Sequence, residues 1–138
     1  MSENQIRKNI IIHAPIETVW PYVSTAEGIG AWFMPNDMEP IEGKEFTLQA
    51  GPWGESTCKV TEVQSPYRLS FNWGKDWQIH FHLREVDGKT ELEFTHAGWE
   101  DGKQTEFGES HEVVRPRMSG GWDGLLAKLK KIIESETE

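Results

Sequence analysis

Three things are scarce in this chain: cysteine, long apolar runs and positive charge. Cys58 is the single cysteine in 138 residues, which excludes an internal disulfide and any multi-cysteine metal site. It lies in the strand-like stretch Thr57-Cys58-Lys59-Val60, with no basic cluster to stabilise a thiolate, and reads as a small buried hydrophobe. A membrane span needs roughly 18 apolar residues, and the longest candidate, around Ile10 to Ile12, is far shorter. The opening residues Met1-Ser2-Glu3-Asn4-Gln5 are polar and lack the apolar stretch of a signal peptide, so a cytoplasmic location is expected. Lys and Arg number 14 against 23 Asp and Glu, a formal net charge of −9. A surface of that sign repels phosphates and anionic lipid, so neither nucleic acid nor membrane is expected as a partner.

Catalytic signatures are missing as well. There is no G-x-S-x-G, no phosphate-binding glycine loop, no H-E-x-x-H and no dinucleotide fingerprint. No cofactor and no catalytic residue is expected on this ground.

Tryptophan, by contrast, is abundant. Seven tryptophans and six phenylalanines supply large, stiff apolar surface, and each indole N–H must find an acceptor when buried. Such a composition suits a thick core or an aromatic-lined pocket.

The length fits one domain spanning the whole chain. β-Branched residues predict a strand over 6–13, ended by Ala14-Pro15. Ile16, Val19, Trp20 and Val23 then recur at helical spacing through about Ser24. A second short helix is expected over 26–33, weakened by Gly28 and Gly30. Strands follow over 45–49, 56–64, 67–73, 77–86 and 90–96. The last two form a hairpin through Asp87-Gly88, a type I′ turn pair. In that hairpin Trp77, Ile79, Phe81, Leu83, Leu92, Phe94 and His96 fall on one face, while Gln78, His80, His82 and Arg84 fall on the other. An amphipathic helix over about 118–133 presents Trp122, Leu125, Leu126, Leu129, Ile132 and Ile133 as one stripe, and Ser110 to Arg117 leave an earlier start open against Pro116 and Gly120-Gly121. The class is α+β: an antiparallel sheet with one apolar face, covered by one long helix.

The segments Ile12-His13-Ala14-Pro15-Ile16-Glu17-Thr18-Val19-Trp20, Trp32-Phe33, Val63-Gln64-Ser65-Pro66-Tyr67-Arg68-Leu69-Ser70-Phe71, Gly88-Lys89-Thr90-Glu91-Leu92 and Gly121-Trp122 occur in a telling order. With them the chain resembles the START-like (SRPBCC, helix-grip) superfamily. Within it, the chain is similar to the family of activators of heat-shock-protein ATPase and their homologues. The resemblance implies a curved antiparallel sheet of about six strands wrapped around a long C-terminal helix, with two short helices after the first strand. It also implies a cavity of the kind that holds lipids, hormones or polyketides in this superfamily, where some members act as cyclases. In the eukaryotic activator the similar domain is half of the protein, and the half that carries much of the chaperone contact has no counterpart here. Family members often carry a histidine three residues before the Gly-Trp pair; this chain has Met118, so no role of that histidine transfers.

Candidate site residues follow from the inward face and the helix ends. Trp20, Trp32, Phe33, Trp73, Trp77, Phe81, Phe94, His96 and Trp122 are the expected ligand-binding set, with Trp32 at the entrance. Trp53 and Trp99 lie in loops where a cavity mouth would be. His96 offers a polar handle near neutral pH, while Trp20 and Trp122 also serve simple packing. His80 and His82 share the polar face and read as solvated histidines rather than metal ligands; His13 and His111 carry no assignment, and Asp101, Glu106, Glu109 and Glu112 read as a solvated run. The expected partner is an apolar or aromatic small molecule. The alternatives are a chaperone-contacting or self-associating module without ligand, and a cyclase or hydrolase using His96.

Overall fold

The computed structural model describes residues 5–49, 55–74, 77–99, 103–104 and 109–136. β-Branched residues open the chain as β1 (Gln5–Ile12), followed by three short helices, α1 (Ile16–Val19), α2 (Pro21–Ser24) and α3 (Ala26–Trp32). Helical spacing through Ser24 predicts one helix where two single turns occur. Pro21 has no N–H to extend the ladder, so it instead starts α2 at its first position. Ile16, Val19 and Val23 are buried all the same. Thr25 caps α3, its hydroxyl accepting from the Gly28 N–H at 2.9 Å.

Five strands and one long helix complete the chain: β2 (Glu45–Gln49), β3 (Glu55–Gln64), β4 (Arg68–Trp73), β5 (Trp77–Val86), β6 (Lys89–Ala97) and α4 (His111–Glu136). All pairings are antiparallel, in the order β1-β6-β5-β4-β3-β2. The β5–β6 turn has Asp87 at φ 54° and Gly88 at φ 78°, the two left-handed residues a type I′ turn requires. The Ser65–Pro66 peptide between β3 and β4 is cis. This is the α+β helix-grip arrangement expected of the sequence.

Period-2 alternation sorts the sheet into two faces. Cross-strand rows such as Val60–Phe71–Ile79–His96–Ile6 and Leu69–Phe81–Phe94 form the inner one. A bulge between Val60 and Glu62 breaks the alternation in β3, so that Val63 returns inward opposite Leu69. Trp122, Leu126, Leu129 and Ile133 of α4 are buried over this face. The helix begins at His111, well before the expected 118, and runs through Pro116. Burial of His111 and Val114 in its first turns outweighs the poor helix propensity of Pro116, Gly120 and Gly121.

Both sheet edges have some of their outward backbone groups occupied. On β2 the Thr47 N–H donates to Asp37 Oδ1 at 2.7 Å and the Gln49 N–H to the Pro35 carbonyl at 2.9 Å. Beside β1, Lys130 Nζ donates to the Ile11 carbonyl and Glu134 Oε2 accepts from the His13 N–H. Such covers stop an edge from pairing with another chain. No helix among the described residues is long and apolar enough to cross a membrane.

Two glycines should respond oppositely to alanine. A Cβ on Gly28 would lie 2.0 Å from the Pro21 carbonyl oxygen, whereas a Cβ on Gly124 meets nothing within 4 Å. Gly28→Ala is expected to lower the urea unfolding free energy by about 1–3 kcal/mol, as overpacking does. Gly124→Ala should raise it by roughly 0.5–1 kcal/mol. Unchanged stability in Gly28→Ala would contradict the close α2–α3 approach.

Candidate binding site between the sheet and the terminal helix

The inner face at the β4–β5–β6 end is almost wholly aromatic. Trp73 and Trp77 are directly paired across β4 and β5, their ring centroids 5.1 Å apart. His96 lies on β6 between Ile79 and Ile6, and its ring is 5.7 Å from Trp73 and 4.8 Å from Trp77. Trp99, just beyond β6, stands 4.7 Å from both Trp77 and His96. From α4, Trp122 packs 4.2 Å from Phe94 and 5.0 Å from Phe33. Phe33 reaches Trp73 and Trp32, and Trp32 reaches Phe81.

One hydrogen bond orders this group. Trp122 Nε1–H donates to His96 Nδ1 at 2.9 Å, fully buried. An indole nitrogen can only donate, so His96 Nδ1 must be an acceptor and the ring carries its proton on Nε2. Burial first, and then the nearby His111, lowers the His96 pKa from 6.5 to about 3, because a charged imidazolium is poorly solvated among apolar rings. His96 is therefore a neutral donor at neutral pH.

That donor is not alone. His96 Nε2 and the Nε1 atoms of Trp73, Trp77 and Trp99 are all buried without a hydrogen-bond partner among the described residues. Native interiors pair nearly all such groups, and each unmade bond costs about 1–3 kcal/mol. Their concentration on one connected group of four rings marks this end of the interior as the candidate site.

All the ligand-binding candidates except Trp20 join this one network of rings. Trp20 is half-buried and packs against the core. Trp32 is not an entrance residue: it is fully buried, and its N–H donates to the Tyr22 carbonyl at 2.8 Å. The sequence reading missed His111, which is buried 6.2 Å from Trp77 and 5.4 Å from Trp99. Its signal was hidden, because it stands in a polar run at a helix start with no period to give its direction. Glu109, from the same run, forms a two-pronged pair with Arg117 at 3.1 Å. Trp53, Asp101 and Glu106 lie outside the described residues.

The outer face holds a separate polar cluster. His80 Nδ1 and Ser70 Oγ are 2.8 Å apart, and burial lowers the His80 pKa while Glu62 opposes the shift. They border an open depression of about 250 Å³ together with Arg68 and His82. Ser70 sits mid-ladder, where backbone N–H groups are committed to the sheet, so no oxyanion site accompanies this Ser–His contact. Among the described residues no group of three or more His, Cys, Asp or Glu could hold a metal ion.

The depressed His96 pKa has a stability consequence. Between about pH 3 and 6.5 the unfolded chain binds a proton at this residue that the folded chain does not, so stability is full above that window and falls as pH drops through it. Acidification from pH 7 to 4 is expected to reduce the unfolding free energy with a slope approaching about 1.4 kcal/mol per unit from this residue. His80, also lowered, adds a change of the same sign. His96→Gln keeps an acceptor for Trp122 and should lose the His96 share. An identical slope in wild type and variant would show that His96 is not held neutral.

Comparison with known proteins agrees with this architecture. Protein BH1534 of Bacillus halodurans has a similar solved structure, 41% identical, covering 94% of this chain and 96% of its own at a TM-score of 0.85. The Aha1 dimer from Colwellia psychrerythraea (21% identity, 94% and 96% covered, TM-score 0.77) and CalU16 from Micromonospora echinospora (23%, 96% and 78%, TM-score 0.75) share the fold. No curated protein matches the sequence. The family model described as Activator of Hsp90 ATPase homolog 1-like protein matches residues 13–134. That span runs from the end of β1 to the last turn of α4, and the chain belongs to this family.

Proposed function

We propose that this protein binds a small apolar or aromatic molecule, lipid-like or polyketide-like, in the interior between the sheet and α4. The observation that carries this reading is the set of buried N–H groups without partners on Trp73, Trp77, Trp99 and His96. A core selected only for packing would pair or exclude them, whereas a binding site keeps polar groups ready for its ligand. Phe33, Phe81, Phe94 and Trp122 supply the flat apolar walls, Trp32 packs on Phe33 and Phe81, and Trp20 packs against the core. Affinity would come from apolar area removed from water, at roughly 25 cal/mol per Å² before association costs. Pro116, Gly120, Gly121 and Gly124 lower the helix propensity of the N-terminal and central turns of α4, a natural route of entry.

A self-associating module is the second reading. Ile11 and Val86 are 42% and 44% exposed and border the same shallow depression, and the structural likeness to the Aha1 dimer is in keeping with it. Catalysis by His96 has less support. Its Nδ1 is occupied by Trp122, so acting as a base at Nε2 would mean giving up that bond.

Tryptophan fluorescence and thermal unfolding should be followed across fatty acids, flavonoids and polyketide-like aromatics. The expected outcome is saturable quenching with a rise in Tm; a ligand at 100 times its Kd adds about 2.7 kcal/mol. If no compound shifts either signal while sedimentation reports a dimer, the interaction reading replaces this one.

A further inference from the structure

The interior offers hydrogen-bond donors and no free acceptor on the rings that carry them. The indoles of Trp73, Trp77 and Trp99 only donate. His96 could accept at Nδ1, but Trp122 already fills that position at 2.9 Å. This leaves Nε2–H as the single unmatched polar group of its ring. His111, packed on Trp77 and Trp99 at the far side, has further contacts of its own.

Among the described residues, the ring contacts of Trp73, Trp77, Trp99 and His96 are to other aromatic rings and not to a Lys or Arg. Lys8, on the inner side of β1, is 3.1 Å from Asp123 of α4 and is spoken for. His96 is neutral at physiological pH. An anionic ligand end set on these four N–H groups would meet neutral dipoles, which offset its lost hydration less than a paired cation does. A hydroxyl end could accept from one of these donors, but the rings that carry them offer nothing to its own O–H. A carbonyl oxygen has two lone pairs, no proton and no charge, and it is a stronger acceptor than an ether, so it matches these donors best.

Resting on the binding reading above, we infer that the ligand is a neutral, flat, largely apolar molecule whose buried end is a carbonyl oxygen (a ketone, quinone or lactone) docked on His96 Nε2–H and a neighbouring indole N–H. The site favours acceptor-only ligand ends, because a donor set against these four ring N–H groups is left unpaired. A neutral imidazole donating to a carbonyl also draws electron density from it. The bound ketone should accordingly show a lowered C=O stretching frequency.

The test uses matched probes that differ only at the polar end: 9-fluorenone, 9-fluorenol, fluorene and fluorene-9-carboxylate, and the smaller indane series. Binding is read by tryptophan quenching, and the His96 ring nitrogens are read by long-range ¹H–¹⁵N NMR. The ketones are expected to bind at least about ten-fold more tightly than the matched alcohols and hydrocarbons. The Nε2–H resonance of His96 should move downfield with ketone alone. His96→Phe should bring ketone affinity down to that of the hydrocarbon; the wild-type NMR shift serves as the readout if that variant does not fold. Equal affinity for ketone and hydrocarbon would overturn this inference and leave the binding reading standing. Tightest binding of the carboxylate would overturn it in favour of an anion site. Absence of binding by every probe and by the wider panel would sink the binding reading itself.

Discussion

Midway along α4 a single hydrogen bond reaches the sheet: Trp122 donates to His96 across 26 residues of sequence, at 2.9 Å and without solvent. Much of the interior depends on it. Because an indole can only donate, the bond selects one tautomer of His96 and points the remaining ring proton away from the helix. It also helps fix the rotation of α4, since Trp122 is in phase with Leu126, Leu129 and Ile133, spaced four, seven and eleven residues on. With Trp122 anchored, the whole stripe faces the sheet. The helix is held despite Pro116 and the pair Gly120-Gly121 in its first half, which on propensity alone would be a poor helix.

The same bond divides the interior chemically. Towards β1 and the β5–β6 turn the core is aliphatic and its polar groups are satisfied; Thr90, for example, donates to the Ala14 carbonyl at 2.8 Å. Towards Trp73, Trp77 and Trp99 the rings are stacked and tilted at 4.7–5.7 Å, a favourable packing range, yet their N–H groups go unmatched. Aromatic contact and apolar burial offset the cost of those donors. Natural proteins accept such local losses where a functional site needs exposed chemistry.

Membership of the activator-homologue family accounts for the architecture and leaves the chemistry to these particular side chains. The helix-grip frame requires an apolar sheet face and an apolar helix stripe, and many residues satisfy that. It does not require four neutral donors gathered at one end, nor an imidazole locked as a donor. Those features come from Trp73, Trp77, His96, Trp99 and Trp122 of this chain, and function has to be argued from them.

The strands, the Asp87-Gly88 turn and the inward direction of Trp77, Phe81, Phe94 and His96 were all legible in the sequence, because strand alternation and turn geometry are local and have fixed periods. The amphipathic stripe of α4 was legible for the same reason. The break at Pro21 and the bulge after Val60 were not read, and the early start of α4 at His111 was left open by Pro116 and Gly120-Gly121. Each depends on a balance between local propensity and burial against distant residues. The burial of His111, the closure of Trp32 into the core and the bond from Trp122 to His96 were beyond any local pattern. Period says which face a side chain takes; which ring meets it from across the core, and which proton it must then carry, is decided only when helix and sheet close on each other.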